Sequence, residues 1–140
     1  MDDAKGGAEE KEQPRSVNDS NRVIAIAEVG GIIPLVKLLS SSNVQARENA
    51  AGALWHLALD KENRASIARA NGISPLVDLL DDGTDRGHKH ASAALSRLST
   101  DSMENQAQIA KHLVALLANP SAGPQKRAAQ ALRQLTDNDP

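Results

Sequence analysis

The chain is 140 residues long with 40% hydrophobic content, which fits one folded domain, and its formal charge of −2 hides uneven local charge and says little about partners. With one Trp, no Phe and no Tyr, the core has to be built from Leu, Ile, Val and Ala, which suits closely packed helices and argues against a β-sandwich. The lack of Cys removes disulfide, zinc-finger and cysteine-nucleophile chemistry; an acidic N-terminus and the lack of any apolar run of about 18 residues argue against secretion and membrane spanning, so a cytoplasmic or nuclear location is expected.

Residues 1–18 are rich in Asp, Glu, Lys, Gly and Gln, with too few apolar side chains to offset ordering entropy, and are expected to form a flexible tail. Ser16-Val17-Asn18-Asp19 falls in register with Leu57-Ala58-Leu59-Asp60, so the tail is expected to end in the remnant of a preceding third helix, a truncated repeat. Asn18-Asp19-Ser20 has the form of a glycosylation acceptor but reads better as a helix start. From a cap at Asp19 or Ser20, a short helix through Val23, Ile24, Ile26 and Ala27 stops at Gly30-Gly31. Pro34 then suits the first turn of a second helix, where its missing N–H costs nothing, and Leu35, Val36, Leu38 and Leu39 supply the buried side. After Ser40-Ser41-Ser42, the Ser42 to Gln45 spacing suggests a capping box for a third helix reaching about Leu59, with Ala50, Leu54, Leu57 and Ala58 in one core-facing stripe.

The next stretch repeats this plan. A helix from Lys61 to Ala70 stops at Asn71-Gly72, Pro75 opens another, and Asp81-Asp82-Gly83 forms a loop before Thr84 caps a third. Gly87, in the first turns of that helix, costs up to about 1 kcal/mol relative to Ala, so fraying is expected there. The third stretch departs from the plan. Ile67 to Val77 spans ten positions but Ile109 to Val114 only five; the Gly turn and the Pro are missing. Ile109, Leu113, Leu116 and Leu117 keep helical spacing across the gap, so the first two helices are expected to be fused from about Ser102 to Asn119. Gly123-Pro124 opens the last helix, with Pro124 expected at its first position.

Pro34 and Pro75, Leu54 and Leu95, and Leu57 and Leu98 are each 41 residues apart. The string from Ala50 to Leu59 returns as Ala91-Ser92-Ala93-Ala94-Leu95-Ser96-Arg97-Leu98 and as Ala128-Ala129-Gln130-Ala131-Leu132-Arg133-Gln134-Leu135. A helical repeat of this period falls in the armadillo or HEAT range. The expected organisation is three units over 19–60, 61–101 and 102–137, within a repeat domain of 19–140 that carries no dedicated cap at either end.

The order Glu62-Asn63-Arg64, Ile67-Ala68, Asn71-Gly72-Ile73, Pro75-Leu76-Val77, Leu79-Leu80, together with Ala50-Ala51-Gly52-Ala53-Leu54-Trp55 and Leu57-Ala58, resembles the armadillo-repeat family over residues 19–136, in wording closest to plant U-box and protist armadillo proteins. The resemblance implies an all-α, right-handed superhelical solenoid whose third helices line a concave groove for extended peptides. In that family an Asn often holds the peptide backbone at the position filled here by His56, Arg97 and Gln134, and import receptors add a Trp where this chain has Gly52, Ala93 and Gln130. The import-receptor role is therefore disfavoured.

On the third helices, Asn49, His90 and Arg127 form one row and Glu48, Lys89 and Lys126 another; with Arg97 and Arg133 the surface turns basic toward the C-terminus. These positions suit an acidic, extended segment, with Arg supplying bidentate contacts, against the plainer reading of a solvated helix face. Trp55 suits an interaction hot spot, or packing against Ala93 and Ser96 of the next third helix. The candidate partner-binding residues are Trp55, His56, His90, Arg97, Lys126, Arg127, Arg133 and Gln134.

His88 and His90 point to different sides of a helix and cannot share an ion, and the Asp81 to Asp85 stretch lacks a calcium-loop pattern. No catalytic constellation, cofactor or metal site is expected, and nucleic acid is disfavoured by the absence of interleaved aromatics. The expected function is a non-enzymatic interaction module for a protein or peptide. Two rivals are an assembly segment that stacks or homo-oligomerises through uncapped ends, and a substrate adaptor of a ubiquitin ligase.

Overall fold

The computed structural model describes residues 24, 26, 27 and 30–137. The expected tail and the caps at Asp19 or Ser20 lie outside them. Among the described residues there are seven α-helices and no strand: α1 Ile32–Leu38, α2 Val44–Leu57, α3 Lys61–Arg69, α4 Ile73–Asp82, α5 Asp85–Leu98, α6 Met103–Leu117 and α7 Ala122–Asp137. Ile24, Ile26 and Ala27 are also helical and precede α1.

The starts of four helices are set by polar side chains. Asn43, Asp60, Thr84 and Ser102 accept hydrogen bonds from the backbone N–H groups of Ala46, Asn63, Gly87 and Asn105, satisfying donors that the helix itself leaves unpaired. The cap of α2 is thus Asn43 and not Ser42; the neighbouring Ser41 hydroxyl accepts from the Asn43 N–H at 3.0 Å. Helices α1 and α4 start on Gly31 and Gly72 without a side-chain cap, and Pro34 and Pro75 occupy their first turns. Pro124 is the third residue of α7 rather than its first.

The stop between α3 and α4 is a paired turn. The Gly72 N–H reaches the Ile67 carbonyl at 2.9 Å and the Asn71 N–H reaches Ala68 at 3.0 Å, with Asn71 in the left-handed region at φ 63°. Gly30 takes that conformation in the preceding unit, at φ 82°. The second residue of each pair is glycine for a different reason. A Cβ on Gly72 would lie 2.7 Å from the Ile67 side chain, and one on Gly31 2.8 Å from that of Ile26. Where this turn is missing, α6 runs unbroken through the region that α3 and α4 fill in the second unit, so the expected fusion is present.

The core is a column of repeated positions: Leu54, Leu57, Leu76, Leu80, Leu95, Leu98, Ile67, Ile109 and Leu113 are fully or almost fully buried. Between them Ala50, Ala51, Ala91, Ala94, Ala128 and Ala131 are buried as well, and small side chains let α2 approach α5 closely. Three expectations about ends change. Helix α2 stops at Leu57, Asp81 and Asp82 belong to α4, and Gly87 is buried with its N–H on the Thr84 hydroxyl at 3.0 Å. The capped first turn of α5 gives no sign of the fraying expected at Gly87, because packing over Gly87 offsets its poor propensity.

Candidate functional site on the third helices

Helices α2, α5 and α7 stand side by side, and the α2–α5 junction gathers four of the sequence-selected residues around one ring. Trp55 is half-buried against the core. Its ring centroid is 5.1 Å from that of His56 and 5.8 Å from that of His90, and the Arg97 guanidinium carbon lies 5.2 Å from it in a cation–π arrangement. Trp55 therefore packs on α5, as one of the two sequence readings held, but its ring and cation partners there are His90 and Arg97.

The neighbours are held in place through the backbone. Arg97 donates to the Trp55 carbonyl at 2.8 Å, and burial, followed by the positive charge of Arg64, pulls its pKa below the ordinary guanidinium value. A carbonyl can only accept, so the contacts of His56 Nδ1 to the Gly52 oxygen at 2.8 Å and of His90 Nδ1 to the Glu48 oxygen at 3.1 Å put the proton of each ring on Nδ1. Gly52 makes this seat possible: a Cβ there would lie 3.0 Å from His90 Nδ1. Glu48 points away from the groove. It is buried and accepts from the Thr84 hydroxyl, placing a carboxylate at the N-terminus of α5, where the helix dipole favours it.

The α5–α7 junction is built differently. Lys89, Ser92, Ala93, Ser96, Gln134 and Asp137 line an open groove of about 460 Å³. Lys126 and Arg133 are exposed on α7. Arg127 is turned away from the groove and donates to the Leu80 carbonyl at 2.5 Å and to the Asp81 carbonyl at 3.2 Å, capping the end of α4. Of the eight sequence-selected residues, Trp55, His56, His90 and Arg97 thus form one cluster, Gln134 lines the second groove, and Lys126 and Arg133 are exposed elsewhere on α7. Arg127 is committed to the scaffold.

Sequence reasoning missed the device that closes the ends of the third helices. Asn63 donates to the Leu57 carbonyl at 3.0 Å, and Arg64 to Ala58 at 2.9 Å and Leu59 at 3.2 Å. One repeat later Asn105 donates to Leu98 at 2.9 Å and Gln106 to Ser99 at 2.9 Å. Both asparagines are buried. The signal was present, since Glu62-Asn63-Arg64 and Glu104-Asn105-Gln106 stand in the same register, but it lay outside the apolar pattern.

The profile of the armadillo/beta-catenin-like repeat matches residues 19–59 and 60–100, more than half of the chain. The chain belongs to the armadillo-repeat family. Its third unit, with the fused helix, lies beyond the matched residues. A search of curated proteins returned no match. Among solved structures, a set of computationally designed armadillo repeat proteins for modular peptide recognition is 28% identical, with a TM-score of 0.68, over 86% of this chain and 53% of that one. A designed armadillo repeat protein in complex with the peptide (KR)4 is 26% identical, with a TM-score of 0.66, over 83% and 51%. Another designed armadillo repeat protein is 30% identical, with a TM-score of 0.65, over 83% and 51%. This armadillo chain spans about half the length of these relatives. Among its described residues no group of three His, Asp or Glu is placed to hold a metal ion, and no helix is long and apolar enough to cross a membrane.

Proposed function

We propose that the protein is a non-enzymatic binding module that takes an extended, acidic segment of a partner protein along the α2, α5 and α7 face. The observation that carries this reading is the Trp55 platform, where an aromatic ring is flanked by Arg97, His56 and His90. Trp and Arg recur at binding hot spots because they bring large contact area and multiple donors at little entropic cost. Charge sets the partner's sign. The relative in complex with (KR)4 holds a basic peptide; here Lys89, Lys126, Arg133 and Arg97 would repel such a ligand and attract carboxylates.

Trp55 is the single tryptophan, so its fluorescence reports on the groove directly. Titration with Glu-rich, neutral and Lys-rich peptides of equal length is expected to shift the emission with the Glu-rich peptide alone, with an affinity that falls as salt is raised. Reversing Arg97 and Arg133 together to Glu should weaken binding about tenfold or more, the size expected from two partly exposed charge contacts. Arg127 is left intact because its loss would unseat α4. Equal response to all three peptides, or an unaltered titration in the double variant, rejects the acidic-segment groove.

A further inference from the structure

We propose that the cleft between α3 and α6 binds a short extended peptide carrying acidic side chains on one edge and basic side chains on the other. This site does not rest on the third-helix reading. Among the described residues its lining comes from α3, the start of α4, the α5–α6 turn and α6, with none from α2, α5 or α7. Helix α6 packs on α4 and α7, while α3 packs on α1 and α5, so α3 and α6 meet at most lightly and leave a space of about 440 Å³ between them. That volume falls within the range of ligand clefts, roughly 300–1,000 Å³.

The two walls carry opposite charge. Lys61, Arg64 and Arg69 line the cleft from α3; Asp101 and Glu104 line it from the α5–α6 turn and the start of α6, with His112 further along α6. The walls do not close on each other, since among the described residues the single ion pair within 4.0 Å is that of His88 with Asp85. Arg64 is anchored on the Ala58 and Leu59 carbonyls, and Arg69 donates to the Ser66 hydroxyl at 3.1 Å, so two of the three cations are already held in place. A purely acidic ligand would be repelled by Asp101 and Glu104, and a purely basic one by the α3 wall; a ligand with both charges satisfies the two together. The rest of the lining suits a peptide backbone. The amides of Asn71 and Gln108 each offer an acceptor and two donors, and neither side chain is engaged elsewhere among the described residues. Ala65, Ala68 and Ile73 add apolar surface. Successive side chains of an extended peptide point to opposite sides, so alternating acidic and basic residues present one charge to each wall.

The test is calorimetric titration of the full chain with an alternating Glu–Lys hexapeptide, against hexaglutamate, hexalysine and a mixture of free glutamate and lysine. Each is titrated into the parent and into the Arg97→Glu, Arg133→Glu variant, so that the third-helix face and the cleft are read separately. The alternating peptide is expected to bind both proteins equally and to leave the Trp55 emission unchanged. Two cleft variants change exposed positions and are expected to keep the parent's helical circular dichroism: Lys61→Glu, and Asp101→Asn with Glu104→Gln, where Asn tolerates the left-handed conformation of Asp101. Each should weaken the alternating peptide about fivefold. In the Arg97→Glu, Arg133→Glu background, Asp101→Asn with Glu104→Gln should also strengthen hexaglutamate, because the wall that repels it has been neutralised; a merely structural role for these residues predicts no such gain. Absence of binding by the alternating peptide overturns the proposal, as does equal binding of hexalysine or of the free amino acids. A shift of Trp55 emission by the alternating peptide, or unaltered affinity in both cleft variants, overturns it as well.

Discussion

The α2–α5 and α5–α7 junctions join equivalent helices, but α2 packs closely along α5 whereas α5 and α7 touch only lightly, α7 resting mainly on α6. At the position where α2 carries Trp55, α5 carries Ser96. The first junction is filled by an indole held under Arg97 and beside His90; the second is an open groove lined by Ser92, Ala93 and Ser96. The buried core positions of the helices repeat, while the packing between the helices and the side chains that line the groove do not. A second difference lies at the ends of the neighbouring helices. Arg47 donates to the Ser41 carbonyl in the first unit, whereas its equivalent His88 is half-buried in the second and Arg127 of the following unit does the capping.

The feature common to both junctions gives the largest expected effect. Asn105→Ala leaves the buried Leu98 carbonyl without its donor and should cost about 1–3 kcal/mol, read as a lower midpoint in chemical denaturation. Asn63→Ala should cost a similar amount at Leu57. A midpoint unmoved by either would show that the caps are incidental.

Trp55→Ser gives α2 the side chain that α5 carries at the equivalent position, Ser96. Removing a half-buried indole should cost about 2 kcal/mol, less than the roughly 3–5 seen for full burial, and should free Arg97 from its ring. Loss of stability without any loss of acidic-peptide binding would assign Trp55 to packing alone.

Two glycines on these helices sharpen the contrast, with a smaller effect. A Cβ on Gly87 meets its nearest neighbour at 3.4 Å, an ordinary contact, so Gly87→Ala should stabilise by about 0.5–1 kcal/mol through helix propensity and the unfolded-state entropy. Gly52→Ala should yield less or reverse the sign, because His90 must move off its seat. Thermal denaturation of the two variants side by side decides whether the seat matters.

The last prediction concerns pH. His88 is held below its ordinary value of 6.5, first by burial and then by the positive Arg127, against weaker opposing pulls from Asp85, Asp82 and the Gly83 backbone. Its Nε2 is buried without a partner. On acidification the unfolded chain takes up this proton first, so the contribution is retained above about pH 6.5 and lost as the pH falls below it. Denaturation midpoints from about pH 7.5 down to about 5.5 are expected to fall more steeply in the parent than in His88→Gln. Equal slopes would place the pH sensitivity elsewhere.

The sequence by itself determined the repeat, its helix order and the fusion of the third unit's first two helices. Those follow from spacing: apolar side chains every three or four residues have one way to share a core, and a missing Gly–Pro turn leaves a helix nothing to stop it. It also singled out Trp55, His56, His90 and Arg97, because they break the repeat where the core positions keep it. Only the tertiary structure decided which of them meet. Whether Arg127 faces a ligand or caps α4, and whether Glu48 lies on the surface or under Thr84, depends on helices 36 to 47 residues apart in the chain. Polar side chains follow carbonyls and N–H groups that become available only once the helices stack, and no periodicity in the chain records where those ends will lie.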